Sequence, residues 1–259
     1  MCTATWIRTR DGYELFFNRD ELATRKPALP PAAREREGVR FLAPEDGDAG
    51  GTWIGVNERA IAVGLANGTE PEQSLDDFDA GRRPGIEIVE RLLWLRTSFR
   101  SRGLLVLDLL ASADLGDVQR RISAVDPSIY RPFALFAIEP GGEAVIWTSD
   151  GKRIARRPGG DEGALLFSSS RDAQRARSER QSLLERMTRA NGGLDAELLA
   201  AFHASHEPER GAYSPCMHRE DARTVSFTRI RVGEREVEMQ YRAGSPCEAG
   251  PIVTRRLAR

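Results

Sequence analysis

Met1-Cys2-Thr3-Ala4-Thr5-Trp6-Ile7-Arg8-Thr9-Arg10-Asp11-Gly12-Tyr13-Glu14-Leu15-Phe16-Phe17-Asn18-Arg19-Asp20-Glu21 opens the chain, and the reading of the rest follows from it. Thr3 to Arg8 alternates apolar and polar residues in part and is rich in Thr, Trp and Ile, which predicts a strand. Asp11-Gly12 is a hairpin turn signal, and Tyr13 to Phe17 reads as the return strand. The chain therefore starts inside a sheet, with Cys2 at a strand end. Asn18-Arg19-Asp20-Glu21 follows the paired strand, so its carboxylates, guanidinium and amide come level with that end.

Cys2 follows the initiator methionine and is small enough for Met1 to be trimmed. Removal of Met1 leaves Cys2 with a free α-amine, whose reference pKa is about 7.7–8.0 against about 8.5 for the thiol. Near neutral pH such an amine can be unprotonated and accept the thiol proton, so one residue supplies both nucleophile and base. Asp20 is placed to hold that amine by a charge-assisted hydrogen bond. The plainer readings are an inert terminal cysteine and a polar turn that ends a hairpin.

Outward from this hairpin, Lys26 to Pro31 reads as a proline-rich irregular stretch and Glu45 to Gly51 as a loop. Strands are expected over Thr52 to Val56 and Ala60 to Leu65, with a turn at Asn57-Glu58. Ile88, Leu92, Leu95 and Phe99 mark an amphipathic helix over Gly85 to Phe99. Asp114 to Val125 is a second helix, capped by Asp114. Phe133 to Ile138 and Ala144 to Thr148 form a hairpin, and Ala164 to Phe167 adds a short strand. Arg171 to Ala190 and Leu194 to His206 are helices separated by Asn191-Gly192-Gly193. Thr224 to Val232 and Glu236 to Tyr241 make a last hairpin. Blocks of strands and helices segregated in this way indicate a layered α+β protein rather than βαβ units.

Composition narrows the function classes. The chain has 259 residues, 40% of them hydrophobic and 30% charged, as expected of one large globular domain spanning 1–259. Lys and Arg total 38 against 39 Asp and Glu, so no basic surplus points to nucleic acid. The longest apolar run, around Leu104 to Leu110, is broken by Asp108 and is too short for a membrane helix. The start has no basic leader or apolar signal region. Three cysteines, odd in number and far apart, make no disulfide framework and suggest a reducing, cytoplasmic setting.

Several segments together carry a family resemblance. Met1-Cys2-Thr3, Leu15-Phe16-Phe17-Asn18-Arg19-Asp20-Glu21, Arg25, Pro27, Gly50-Gly51-Thr52-Trp53-Ile54-Gly55-Val56 and Gly64-Leu65-Ala66-Asn67 resemble the NRDE family, also called the transport-and-Golgi-organisation protein family. The match is dense over roughly the first 70 residues and loose beyond them. The chain is more distantly similar to choloylglycine hydrolases and penicillin V acylases, which also begin Met-Cys. Their Asn-x-Asp pattern resembles Asn18-Arg19-Asp20. Their Asn-Glu-Lys-Gly…Gly-Leu-Asn segment resembles Asn57-Glu58-Arg59-Ala60…Gly64-Leu65-Ala66-Asn67.

That resemblance implies a four-layer αββα sandwich of the N-terminal-nucleophile hydrolase kind. It also implies that Asp20 holds the Cys2 amine and that Asn67 helps form an oxyanion hole, worth a hundred-fold or more in rate. The chain departs from the pattern in places. Phe16 stands where that family has Arg, and Arg19 is the nearest substitute, although an odd shift along a strand sends a side chain to the other face. A second family Asn falls at Ser168-Ser169-Ser170, which nominates Ser169, and a late Arg falls at Arg223.

Other candidates read more plainly. Cys216 and His218 form a Cys-x-His pair, but zinc wants about four ligands and no second pair lies near in sequence. His203 and His206 read as a solvated helix end, Cys216 and Cys247 as ordinary loop cysteines, and Arg153 to Arg157 as a solvated basic run. Trp6 and Trp53 line a pocket or fill the core, the core being favoured. Gly50-Gly51 reads as a tight turn rather than a phosphate loop. No cofactor and no metal are expected. The expected activity is an N-terminal-cysteine hydrolase or acyltransferase on a small-molecule amide, ester or related acyl bond, through a Cys2 thioester. The alternative is a non-catalytic carrier or chaperone for lipid, acyl-CoA or haem on the same fold.

Overall fold

A computed structural model describes residues 2–68, 99–141, 144–160, 163, 166–168 and 172–259. The predicted opening hairpin forms: β1 (Cys2–Thr9) pairs antiparallel with β2 (Gly12–Leu22), in a register running from Cys2 opposite Arg19 to Thr9 opposite Gly12. Nearly all of both strands is buried, because their sheet is covered on both faces. This is why the period-two pattern is only partial in the sequence. Cys2, Ala4, Trp6, Leu15 and Phe17 face the space between two sheets, while Ile7 and Phe16 face helices.

The remaining strands are β3 (Leu29–Arg36), β4 (Val39–Glu45), β5 (Ile54–Asn57), β6 (Ala62–Asn67), β7 (Phe133–Ile138), β8 (Val145–Ser149), β9 (Ile154–Pro158), β10 (Leu166–Ser168), β11 (Ala222–Val232), β12 (Glu236–Ala243) and β13 (Ile252–Ala258). Among the described residues they form two antiparallel sheets. One is ordered β10-β1-β2-β11-β12-β13 and the other β3-β4-β5-β6-β7-β8-β9. Helices α1 (Arg102–Leu109) and α2 (Leu115–Ser123) pack Leu105, Val106, Leu109, Val118 and Ile122 on the outer face of the seven-stranded sheet. Helices α3 (Ala173–Asn191) and α4 (Ala196–Ala204) pack Leu183, Leu184, Leu199 and Phe202 on the outer face of the other. The result is the expected α+β arrangement with layers αββα.

Several local expectations hold for physical reasons. Asp114 accepts a hydrogen bond from the Asp117 N–H at 2.6 Å and caps α2. Gly192 takes a left-handed φ of 75° and ends α3, so the Asn191-Gly192-Gly193 break separates two helices. Other expectations need correction. Lys26 to Pro31 is not irregular throughout: β3 begins at Leu29 and carries Pro30 and Pro31. It can do so because it is a sheet edge, where a missing N–H leaves no ladder bond unmade. The β3–β4 turn, Glu37-Gly38, has both φ values positive, a hairpin turn with Glu where Asn is the usual signal. The apolar run at Leu104 to Leu110 is largely α1. The basic run is mostly the exposed edge strand β9, and the last hairpin gains a third strand, β13. The helix expected over Gly85 to Phe99 lies outside the described residues up to its final residue. No helix among the described residues is long and apolar enough to cross a membrane.

His203 is not a solvated helix end. It is fully buried on α4, its Nε2 2.9 Å from the Thr5 hydroxyl oxygen, with Phe16, Phe202 and Phe227 around the ring. Burial, reinforced by the Arg180 charge, pushes its pKa down to about 3. The folded protein thus favours neutral imidazole, while the unfolded chain protonates near pH 6.5. Stability is intact above that pH and falls as pH drops toward 3, by on the order of 4 kcal/mol if the whole shift is expressed. Urea unfolding between pH 7 and pH 4 should show this loss, and His203→Gln should flatten it. Equal acid sensitivity in the variant and the parent would refute the assignment.

Candidate active site

Cys2 is the first residue of β1 and is 7% exposed. Ser168 of β10 flanks it on one side and Arg19 of β2 on the other. Burial pushes its thiol up to about 11, and the nearby Asp20 charge adds to this. A thiol so placed is protonated at neutral pH and needs a base before it can attack.

Asp20 has almost no exposure, and its Oδ1 accepts a 2.6 Å hydrogen bond from the Thr224 hydroxyl. The Arg180 guanidinium, also fully buried, places Nη2 4.0 Å from Asp20 Oδ2. Arg180 is itself held by Nη1 donating to Thr3 Oγ1 at 2.6 Å and Nε donating to the Tyr213 carbonyl at 3.0 Å. Burial raises the Asp20 pKa, and the Arg180 charge and Thr224 hydroxyl oppose that shift. The Thr224 contact depends on an irregularity. Between β2 and β11 the register shifts at Thr224/Ser226, so Val225 is an extra residue opposite the Arg19–Asp20 step. Bulges of this kind re-aim side chains beside functional sites.

Arg19 lies on the same face as its cross-strand partner Cys2 and lines the cavity, while Phe16 faces the helices. The odd shift does change the face, and the face it gives is the one that holds Cys2. Its guanidinium stacks 3.9 Å from the Trp53 ring centroid, forms an ion pair with Asp46 and lies 3.6 Å from Glu21. Arg25 joins the same carboxylate through Nη2, at 2.6 and 2.7 Å. Burial works against ionising Asp46, but the Ala49 N–H and the two guanidiniums outweigh it and hold its carboxyl below the usual range. Gly51 lets the Thr52-Trp53 segment dock on the start of α1. A Cβ at Gly51 would come within 2.5 Å of the Gly103 backbone, and the Thr52 N–H donates to the Gly103 carbonyl at 3.1 Å.

These segments enclose a cavity of about 470 Å³, a volume suited to a small molecule. Cys2, Arg19, Asp20 and Asn67 all line it, and Asn67, the last residue of β6, is exposed. Asn18 points away: its Nδ2 donates to the carbonyls of His203 and Pro215, both at 2.8 Å, and ties β2 to the helical layer. Arg223 is exposed, opposite Glu21 on β2, and is not among the residues lining this cavity. Ser169 lies outside the described residues. Trp53 serves both readings, as it belongs to the inter-sheet core and lines the cavity. Sequence reasoning missed Arg180, Thr224 and Asp46. Arg180 sits in an arginine-rich helix with nothing to mark it, and Thr224 is an ordinary strand residue until the bulge aligns it with Asp20.

A family described as Transport and Golgi organisation 2 matches residues 1–207. No curated protein matches by sequence. Among solved structures, the chain is similar to a Caenorhabditis elegans N-acylethanolamine-hydrolyzing acid amidase ortholog, with a TM-score of 0.60 at 12% identity. That likeness covers 89% of this chain and 92% of the other. It is also similar to a variant of conjugated bile acid hydrolase from Clostridium perfringens, with a TM-score of 0.54 at 10% identity, over 100% and 96% of the two chains. At such identities the likeness speaks for the fold, which is that of N-terminal-nucleophile hydrolases.

The geometry makes Thr224 the hinge of the buried carboxylate. Thr224→Val removes the Asp20 donor and leaves the Met217 N–H, 2.9 Å from Thr224 Oγ1, without its acceptor. Urea denaturation should show a loss of about 1–3 kcal/mol for Thr224→Val, and much less for Thr224→Ser. Equal stability of Thr224→Val and parent would remove Thr224 from this role.

Proposed function

The chain belongs to the Transport and Golgi organisation 2 family, and from that premise and the fold we propose that Cys2 is the nucleophile of an amidohydrolase or acyltransferase. The bond attacked is a non-peptide amide or related acyl bond in a small molecule. The observation that carries this reading is the convergence of Cys2, Asp20, Arg19 and Asn67, from two facing sheets, on one cavity.

Removal of Met1 frees the Cys2 α-amine, and the Asp20 carboxylate, braced by Thr224 and Arg180, accepts a hydrogen bond from it. The amine takes the proton from Sγ as the sulfur attacks the substrate carbonyl carbon, forming a C–S bond. The carbonyl oxygen becomes an oxyanion and receives a hydrogen bond from Asn67 Nδ2. As the tetrahedral intermediate collapses, the C–N bond breaks and the Cys2 ammonium returns its proton to the departing amine. Water, or another acceptor, then attacks the thioester while the α-amine takes its proton. The acyl group leaves and the thiol is restored. Arg19, paired with Asp46 against Trp53, keeps positive charge beside the sulfur while it is negative. Arg100, Arg102 and Arg131 also line the cavity, which suits an acyl or leaving group bearing negative charge.

One observation favours the carrier reading for a chain that retains Met1. With the Cys2 nitrogen in a peptide bond and a thiol pushed up to about 11, such a chain holds an inert sulfur in a small-molecule cavity. Intact mass and acylation by a p-nitrophenyl acyl ester separate the two forms. The chain lacking Met1 should acquire an acyl group at Cys2 near pH 7, and Cys2→Ala should not. Asp20→Asn should be slower by a hundred-fold or more, taking amine positioning as comparable to an oxyanion donor. In a chain extended before Met1, Cys2 alkylation should instead climb about tenfold per pH unit toward pH 11. Acylation of the processed chain that persists in Cys2→Ala would end the enzymatic reading.

A further inference from the structure

The Cys216-Met217-His218 pair has partners that sequence spacing conceals. Cys216 and His218 lie on the irregular segment 205–221 between α4 and β11. His206 lies at the start of that segment, and Cys247 comes from the connection between β12 and β13. Folding brings one ligand atom from each of the four within 4.8 Å of all the others. His218 Nε2 is 3.4 Å from Cys216 Sγ and 3.3 Å from Cys247 Sγ, and the rings of His206 and His218 meet edge to face at 5.1 Å.

We propose that His206, Cys216, His218 and Cys247 form a closed, structural zinc site. With Zn–S near 2.3 Å and Zn–N near 2.0–2.1 Å, a tetrahedron puts its sulfur and nitrogen vertices about 3.6 Å apart. The two Cys–His separations lie within a few tenths of an ångström of that figure. Two thiols and two imidazoles without a carboxylate suit zinc and disfavour calcium or magnesium, which want oxygen ligands. Four protein ligands leave no open position, so the metal's work here is structural rather than catalytic. The His206 Nε2 atom supplies a second sign. It is buried and meets no hydrogen-bond partner among the described residues, as an atom that awaits a metal would be. Arg210, whose Nη2 is 3.4 Å from His218 Nδ1, adds positive charge beside what would be two thiolates.

The position explains what the metal does. The segment 205–221 has little regular secondary structure, yet Ser214 to Met217 are buried. It packs directly behind the buried carboxylate. The Tyr213 carbonyl accepts from Arg180, the Pro215 carbonyl accepts from Asn18, and the Met217 N–H donates to the Thr224 hydroxyl that holds Asp20. Zinc ties this segment to the end of α4 and to the β12–β13 connection, and so fixes the backing of Asp20 without touching the cavity. Binding and folding are then coupled.

The test uses the full chain, purified under reducing conditions without chelator, and measures metal content by elemental analysis. Zinc at about one equivalent is expected. The exposed-position variant Cys247→Ser, with Cys216→Ser and His206→Ala beside it, should lose most of the metal, while Cys2→Ser retains it. Cobalt(II) added to the metal-free chain should give the visible bands of a tetrahedral thiolate site, absent in Cys247→Ser. Chelation should lower the melting temperature of the parent and leave Cys247→Ser unmoved. A chain with reduced thiols that binds neither zinc nor cobalt would overturn the proposal, as would metal content indifferent to Cys247→Ser. A Cys216–Cys247 disulfide in the native chain would do the same. The site does not rest on the acyl-transfer reading: metal content needs no substrate, so either proposal can fail alone.

Discussion

A carboxylate with almost no access to solvent sits at the end of β2, and much of the surrounding architecture makes it tolerable. An ionised Asp20 in that position would be unfavourable without partners, since burial disfavours its charged form. The partners come from three separate parts of the chain. Thr224 arrives from β11 through a bulge, Arg180 arrives from α3 across the helical layer, and Thr3 of β1 anchors that arginine. Removing one partner of such a buried set costs more than the net worth of the set, because it strands a charge away from water. The sheet, the bulge and the outer helices are thus coupled through one side chain.

The same logic of paired charge shapes the cavity. Arg19 and Arg25 share Asp46, and the Arg19 guanidinium lies over the Trp53 ring. The polar wall around Cys2 is held rigid while the aromatic ring beneath it remains part of the inter-sheet core. Rigid placement of polar groups around a reacting atom is what gives effective concentration and electrostatic stabilisation their size. Asn67 reaches the same cavity from the opposite sheet, so the site needs both sheets stacked face to face.

The opening hairpin, the capped helix after Asp114, the helix break at Gly192 and the two strands that follow Trp53 and lead to Asn67 were legible because each is encoded locally, by period, cap or turn residue. Of the strands that escaped notice, β3, β9 and β13 are exposed edge elements, where one sheet neighbour and open solvent leave no apolar stripe to read. By contrast, β4 is interior and buried on both faces, with Leu42 toward one layer and Phe41 and Ala43 toward the other, so no polar alternation marks it. His203 escaped for a different reason. It looks like a polar residue at a helix end, and only the layer beneath it reveals an aromatic enclosure.

The sequence by itself determined the class of fold and the residues worth watching near the start of the chain. Hydrophobic period, turn chemistry and the Met-Cys, Asn-Arg-Asp-Glu and Gly-Gly-Thr-Trp segments are properties of neighbours along the backbone. Tertiary structure alone decided which of those residues share a cavity: Cys2, Arg19, Asp20 and Asn67 do, while Asn18 turns to the helical layer. It also decided that Arg180 and Thr224 stand behind Asp20, and that His206 and Cys247 join Cys216 and His218. The physical reason is sequence distance. These partners meet only after sheets stack, a bulge shifts a register and helices dock, and no period or turn in a single segment records those events.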